Sequence, residues 1–199
     1  LGFSMQEILL EPYGAEVLAM SVGQTTRLTA IFAGGMPIAM ALSARYLGRA
    51  GEPIRLAAYG AVVGVFAFAA VIMAGAFDSL TLFAAGTLLI GIGNGLFAVG
   101  TLTAAMLLAG KATAGLVIGT WGAVQAMAAG CAIFLGGALR DMTEALIHSG
   151  TISQHLSGPA TPYGAVYHLE IIILFASLVA LGPLVRRLGN DKDQPLTMK

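Results

Sequence analysis

Apolar positions gather along the chain in five long runs, 25–42, 56–77, 80–109, 114–139 and 165–184. Each approaches or exceeds the roughly 20 residues a helix needs to cross about 30 Å of hydrocarbon. The pattern therefore predicts membrane-spanning helices over 24–44, 54–77, 79–109, 114–139 and 165–186. The run from 80 is long enough to tilt or to project beyond the bilayer. A sixth stretch, 1–22, is interrupted by Glu7, Glu11, Pro12 and Glu16. It is expected to be a further span, broken at Pro12, whose ring removes one backbone donor and crowds the carbonyl of Ile8. Its carboxylates must then face protein or a wet cavity, because lipid-facing charge is expensive. The competing reading is an amphipathic helix on the membrane surface.

Polar residues mark the connections. Asp78 and Ser79 form one turn and residues 110–113 another, while 141–164 is a longer outer loop with three glycines and two prolines. Within it, 142–147 is expected to make one or two helical turns on the membrane surface. Residues 190–199 form a polar tail. Basic residues set the orientation: Arg45, Arg49, Arg55, Lys111, Arg186, Arg187, Lys192 and Lys199 share one side, against Arg27 and Arg140 on the other. That asymmetry places the first side, and the C-terminus, in the cytoplasm. The fold class expected is an all-α polytopic membrane bundle of six helices, occupying 1–189.

Composition sharpens this reading. The chain has 199 residues, 57% hydrophobic and only 10% charged, against about a quarter charged in a soluble domain. A water-soluble enzyme is excluded. Ten basic and ten acidic residues cancel, so nothing draws the chain to nucleic acid. The single cysteine, Cys131, excludes an internal disulfide and a thiolate metal cluster. No signal-peptide pattern is present, and Leu1 leads at once into a helical pattern, so the natural start is expected upstream.

Several residues are candidates for chemistry. Glu7 and Glu11 stand four apart on one helix face, with Gln6 and Tyr13 beside them. Such a pair could couple to protons, bind a cation or ligate the magnesium of a tetrapyrrole; the plainer reading is a polar seam between helices. Gly60 and Gly64, Gly91 and Gly95, and Gly115 and Gly119 are small pairs four apart, the pattern of close helix packing. Asn94, within the second pair's glycine cluster, needs a partner if buried. Trp121 and Gln125 share a face in mid-span, where the indole could stack on a flat cofactor or simply fill the core. His148, His155 and His168 are weaker axial-ligand candidates, expected mainly as interfacial residues. Met36, Met40, Met73, Met106 and Met127 offer adaptable packing surfaces. No readable nucleophile, acid and base combination and no metal motif independent of a pigment appear, so no catalytic residue is assigned and the chain is expected not to be an enzyme.

The loop Ser43-Ala44-Arg45-Tyr46-Leu47-Gly48-Arg49 resembles a degraded form of the signature joining the second and third helices of each half of a major facilitator. Its position implies the C-terminal half of such a fold. Longer motifs are similar to the PucC/LhaA family: Gly2-Phe3-Ser4-Met5-Gln6-Glu7-Ile8-Leu9-Leu10-Glu11-Pro12-Tyr13-Gly14, Ser21-Val22-Gly23-Gln24-Thr25-Thr26, Gly95-Leu96-Phe97-Ala98-Val99-Gly100-Thr101-Leu102-Thr103-Ala104-Ala105-Met106, Gly119-Thr120-Trp121-Gly122-Ala123-Val124-Gln125-Ala126 and Gly136-Gly137-Ala138-Leu139-Arg140-Asp141. They cover most of residues 1–141.

The resemblance implies an assembly factor for bacterial light-harvesting complexes in the intracytoplasmic photosynthetic membrane. Such a factor would handle bacteriochlorophyll as cofactor or guide antenna polypeptides into place. Antenna polypeptides, a reaction-centre complex and the lipid bilayer are the partners implied, with a missing N-terminal half or a covering chain over the inner face. On this resemblance Glu7, Glu11, Gln6 and Tyr13 line a cavity or pigment surface, and Trp121 and Gln125 face them. Ala44 stands where a transporter's loop is usually acidic, which favours a scaffold over a transporter. The alternatives are a secondary transporter of a tetrapyrrole or amphipathic solute, and a structural subunit of a photosynthetic supercomplex.

Overall fold

The computed structural model describes residues 2–109, 113–150 and 158–192. Within them the chain is all-α. A 3-10 turn at Met5–Ile8 precedes α1 (Leu10–Glu16), α2 (Val22–Leu47), α3 (Pro53–Ala76), α4 (Leu80–Leu108), α5 (Ala114–His148) and α6 (Thr161–Lys192). Five of these, α2 to α6, are long and apolar enough to cross a membrane, and the protein is a polytopic membrane protein.

Local chemistry explains where the helices start. Gln24 Oε1 accepts the backbone N–H of Ser21 at 2.8 Å, which closes the N-terminus of α2. Pro53 occupies the first turn of α3, where its missing N–H would lack a helical partner anyway. The Ser79 hydroxyl accepts from Leu82 N at 3.3 Å and caps α4. Hydroxyls inside the spans bond back to their own helix, as Ser43 does to Ala39 O (2.7 Å) and Thr87 to Phe83 O (2.9 Å), leaving neither unsatisfied in an apolar setting.

Three expectations need correction. The stretch 1–22 does not form one membrane-length helix: α1 has seven residues, about 10 Å of rise. Pro12 does not kink it, because Pro12 lies in the first turn of α1, where no donor is lost. The outer segment is also shorter than expected, since 142–147 continue α5 up to His148 and α6 begins at Thr161.

The core forms where this N-terminal segment packs among α2, α3, α4, α5 and α6. Phe3, Met5, Leu9, Leu10 and Tyr13 are buried together with Phe68, Phe83, Tyr163 and Tyr167. Close approach is possible because glycines stand opposite. A Cβ at Gly64 would lie 2.5 Å from the Phe3 ring, and one at Gly136 would lie 3.0 Å from Met5 Cβ. A Cβ at Gly75 would collide with the Tyr13 hydroxyl. Lipid tails are as apolar as these side chains, so the association is held by packing and hydrogen bonds rather than by expulsion of water.

Candidate functional site

The N-terminal segment carries the acidic candidates, and its geometry divides them. Glu7 and Glu11 are exposed, although one lies on the 3-10 turn and the other on α1. Both line a cavity of about 250 Å³ with Gln6, Leu10, and Thr29 and Phe32 of α2. The Thr29 hydroxyl donates to Glu11 Oε1 at 2.5 Å. Among the described residues, no side-chain hydrogen bond or ion pair engages the Glu7 carboxylate, whose backbone N–H donates to Ser4 O at 3.4 Å. The arrangement is therefore an open groove with one tethered and one untethered carboxylate, floored by an aromatic ring.

Gln6 belongs to both groove and core. It is fully buried; its side-chain amide donates to Phe3 O at 3.1 Å and its backbone N–H donates to Glu170 Oε1 at 3.0 Å. Tyr13 departs from the expectation that it lines the cavity. It is a core residue, 2% exposed, with its hydroxyl donating to Val71 O at 3.4 Å. Its ring meets Tyr163 and Tyr167 edge-on at 5.4 and 5.5 Å. An edge-on cluster of this kind is packing chemistry.

Asn94 and Gln125 come together elsewhere. They line a second cavity, about 230 Å³, between α4, α5 and α6, with Ser4, Phe97 and Ser177. Trp121 is partly buried, and its indole N–H donates to Thr101 Oγ1 of α4 at 3.3 Å. Neither Trp121 nor Gln125 lines the groove of Glu7 and Glu11, contrary to expectation. Their four-residue spacing gives them a common face on α5, but it carries no information on which neighbour that face meets.

The glycine pairs separate in the same way. A Cβ at Gly60 would stand 2.6 Å from both Gly93 O and Phe97 N, so α3 and α4 touch backbone to backbone there. A Cβ at Gly91 would run into Phe32 O of α2, and one at Gly95 would stand 2.5 Å from Ala39 Cβ. Gly115 and Gly119 differ, because a Cβ at either meets nothing within 4 Å. Apart from Trp121 and Gln125, which reach α4, the first half of α5 presents open faces, and Leu116, Val124 and Met127 on it are exposed. Met36, Met40, Met73 and Met106 are exposed as well.

His148 and His168 are exposed, and each turns Nδ1 onto the carbonyl one turn back, Glu144 O at 2.9 Å and Gly164 O at 2.6 Å. Each ring then points Nε2 away from its own helix. His155 lies outside the described residues. Among the described residues, no group of three or more His, Cys, Asp or Glu is placed to hold a metal ion.

Two features escaped sequence reasoning. Arg140 ties α1 to the ends of α5 and α6. Its guanidinium reaches Glu16 (3.4 Å), Asp141 (3.1 Å) and Glu144 (3.0 Å), and lies 5.3 Å from the Tyr163 ring centre. Tyr163 in turn donates to Glu16 Oε2 at 2.6 Å. The second feature is Glu170, fully buried within α6. A carboxylate inside the apolar run 165–184 was the available signal for it.

Comparison with known proteins places this architecture. The family model described as PUCC protein matches residues 1–189. The chain belongs to the PUCC protein family. It is similar to an uncharacterized protein in the puhA-bchM intergenic region of Rhodobacter capsulatus, with 47% identity over 186 residues covering 94% of this chain and 39% of the relative. Protein PucC of Cereibacter sphaeroides matches with the same identity and coverage. The bacteriochlorophyll synthase 44.5 kDa chain of Rhodobacter capsulatus is 29% identical over 196 residues, covering 93% of this chain and 42% of its own. The chain thus spans about two-fifths of the length of these relatives. No solved structure matches it.

Proposed function

We propose that this chain is the C-terminal half of a major-facilitator-like, non-enzymatic assembly factor for photosynthetic light-harvesting complexes. It would handle bacteriochlorophyll, guide antenna polypeptides into the membrane, or do both. Membership of the PUCC protein family carries this reading, and the relative named as a bacteriochlorophyll synthase chain supports the pigment. The protein would reside in the intracytoplasmic photosynthetic membrane with its C-terminus in the cytoplasm, beside antenna polypeptides and a reaction centre.

The groove of Glu7 and Glu11 fits the polar side of such a task. Neither it nor the cavity of Asn94 and Gln125 reaches the ~300 Å³ of a small ligand pocket. A tetrapyrrole would lie against the open groove instead of inside it, covered by the rest of the protein or by a partner chain. The residues suit it: Glu7, untethered, would ligate the magnesium, and Phe32 and Leu10 would flank the macrocycle. Bound there, bacteriochlorophyll would supply light absorption and nothing catalytic. The exposed apolar faces of α2 and α5, with Met40, Val124 and Met127, would receive single antenna helices.

Replacing Glu7 and Glu11 together by alanine tests this. Bound pigment in the purified protein or antenna yield in the membrane should fall; both unchanged would remove the groove from the mechanism. The untethered Glu7 also favours a second reading, a transporter of a tetrapyrrole or amphipathic solute coupled to protons. Proton uptake during a transport cycle would select it.

A further inference from the structure

Glu170 lies nine residues into α6, about 13.5 Å from its start and inside the apolar run of that helix. It is fully buried, as are Gln6 and Tyr167. One carboxylate oxygen, Oε1, accepts the Gln6 backbone N–H at 3.0 Å. The other, Oε2, has no hydrogen-bond partner, and neither has Gln6 Oε1 or the Tyr167 hydroxyl. Tyr167 and Glu170 are three apart on α6 and so share a face.

Counting donors identifies what is missing. Glu170 Oε2 and Gln6 Oε1 are both pure acceptors when the acid is ionised, and the Tyr167 hydroxyl can donate to only one of them. The Gln6 amide cannot be turned over to supply a donor, because its oxygen would then meet the Phe3 carbonyl that its nitrogen now serves. A water molecule would bring donors but leave the carboxylate charge unneutralised in hydrocarbon, which is the costly element.

Among the described residues, the surrounding side chains bring no positive charge to spare. The 3-10 turn contributes Glu7 and α1 contributes Tyr13. Within α6 itself the neighbours are Tyr163 and Tyr167. Arg140 of α5 is engaged by Glu16, Asp141 and Glu144. On α3, Arg55 is paired with Glu52 at 2.7 Å, and Tyr59 lies nine residues before Phe68, the ring stacked on Tyr167.

We propose that Glu170, Gln6 and Tyr167 form a binding site for one monovalent cation, a proton or a sodium ion, whose occupancy fastens the N-terminal segment to α6. A proton on Oε2 supplies the absent donor and removes the charge. A sodium ion neutralises the same charge and takes the same oxygens as ligands. In either case an empty site leaves the carboxylate charge uncompensated and at least one of the two acceptors without a donor, and the segment carrying Glu7 and Glu11 loosens from α6.

The test is the thermal unfolding midpoint of the full-length protein in nanodiscs. One arm titrates sodium chloride against choline chloride at fixed pH. The other varies pH without sodium. Going from an empty site to a hundredfold excess over half-saturation should raise the midpoint by about 5 °C. A rise with sodium but not choline identifies the ion, while a midpoint that falls with rising pH in the absence of sodium identifies the proton. Glu170→Gln, which keeps the shape and removes the charge, should abolish that dependence. A wild-type midpoint insensitive to both, or an equal dependence in Glu170→Gln, overturns the proposal. Should Glu170→Gln fail to fold, Tyr167→Phe removes one oxygen alone and must move the half-saturation point at least threefold. An unmoved point is equally fatal.

Discussion

Gly60→Ala adds one methyl group where two helix backbones touch. The new Cβ would sit 2.6 Å from Gly93 O and from Phe97 N, where ordinary contact needs about 3.4 Å or more. Both obstacles are main chain, so no rotamer change relieves them, and α3 must move from α4 by most of an ångström. A gap of that size forfeits a quarter to a half of each affected dispersion contact, and the interface includes Ala57, Ala61, Ala67, Phe68 and Ile90, all buried. Overpacking of this kind costs about 1–3 kcal/mol. The helix-propensity gain of alanine over glycine returns about 1 kcal/mol. Because both obstacles are main chain, the cost falls in the upper part of that range, about 2–3 kcal/mol, so the net loss of about 1–2 kcal/mol lowers the unfolding midpoint by roughly 2–8 °C. Gly119→Ala is the matched control: it meets nothing within 4 Å and so should be neutral or slightly stabilising by the same propensity term. Thermal unfolding of both variants in one detergent reads the difference directly. A neutral Gly60→Ala refutes the backbone contact. A Gly119→Ala as damaging as Gly60→Ala means that another chain packs on the first half of α5.

Other substitutions probe the remaining contacts. Gly75→Ala should destabilise by about 1–3 kcal/mol through its collision with the Tyr13 hydroxyl. Tyr13→Phe in the same chain should restore most of that loss, so additive effects in the double-mutant cycle would rule the contact out. Tyr163→Phe deletes the 2.6 Å bond to Glu16 while keeping the ring beneath Arg140. Hydrogen exchange in α1 should speed up several-fold, for a loss of about 1–2 kcal/mol; unchanged exchange would show that Arg140 alone holds the segment. Trp121 is the only tryptophan, so its fluorescence reports the contact with Thr101. Thr101→Val should shift the emission, and an identical spectrum would place the indole elsewhere.

The all-α polytopic character was legible in the sequence, because helix formation in a membrane is a local matter. Hydrocarbon offers the backbone no partner, so a long apolar run must satisfy its own N–H and C=O groups. The family was legible as well, in motifs such as Gly119-Thr120-Trp121-Gly122 that need no tertiary knowledge.

Which faces meet was not legible. A soluble helix announces its buried side by an apolar stripe, whereas α3 and α4 are apolar nearly all round and give no such mark. Gly60 and Gly115 look alike in sequence, yet one stands against the backbone of α4 and the other faces open space. Tyr13 stands two residues from Glu11, yet one fills the core and the other opens on a groove. Glu170 reads in sequence as one more acid near an outer loop. Only the fold brings it against Gln6, 164 residues away along the chain. Helix length and membrane affinity are written in local composition, while the pairing of faces is settled by the fit of side chains that meet only after the helices have docked.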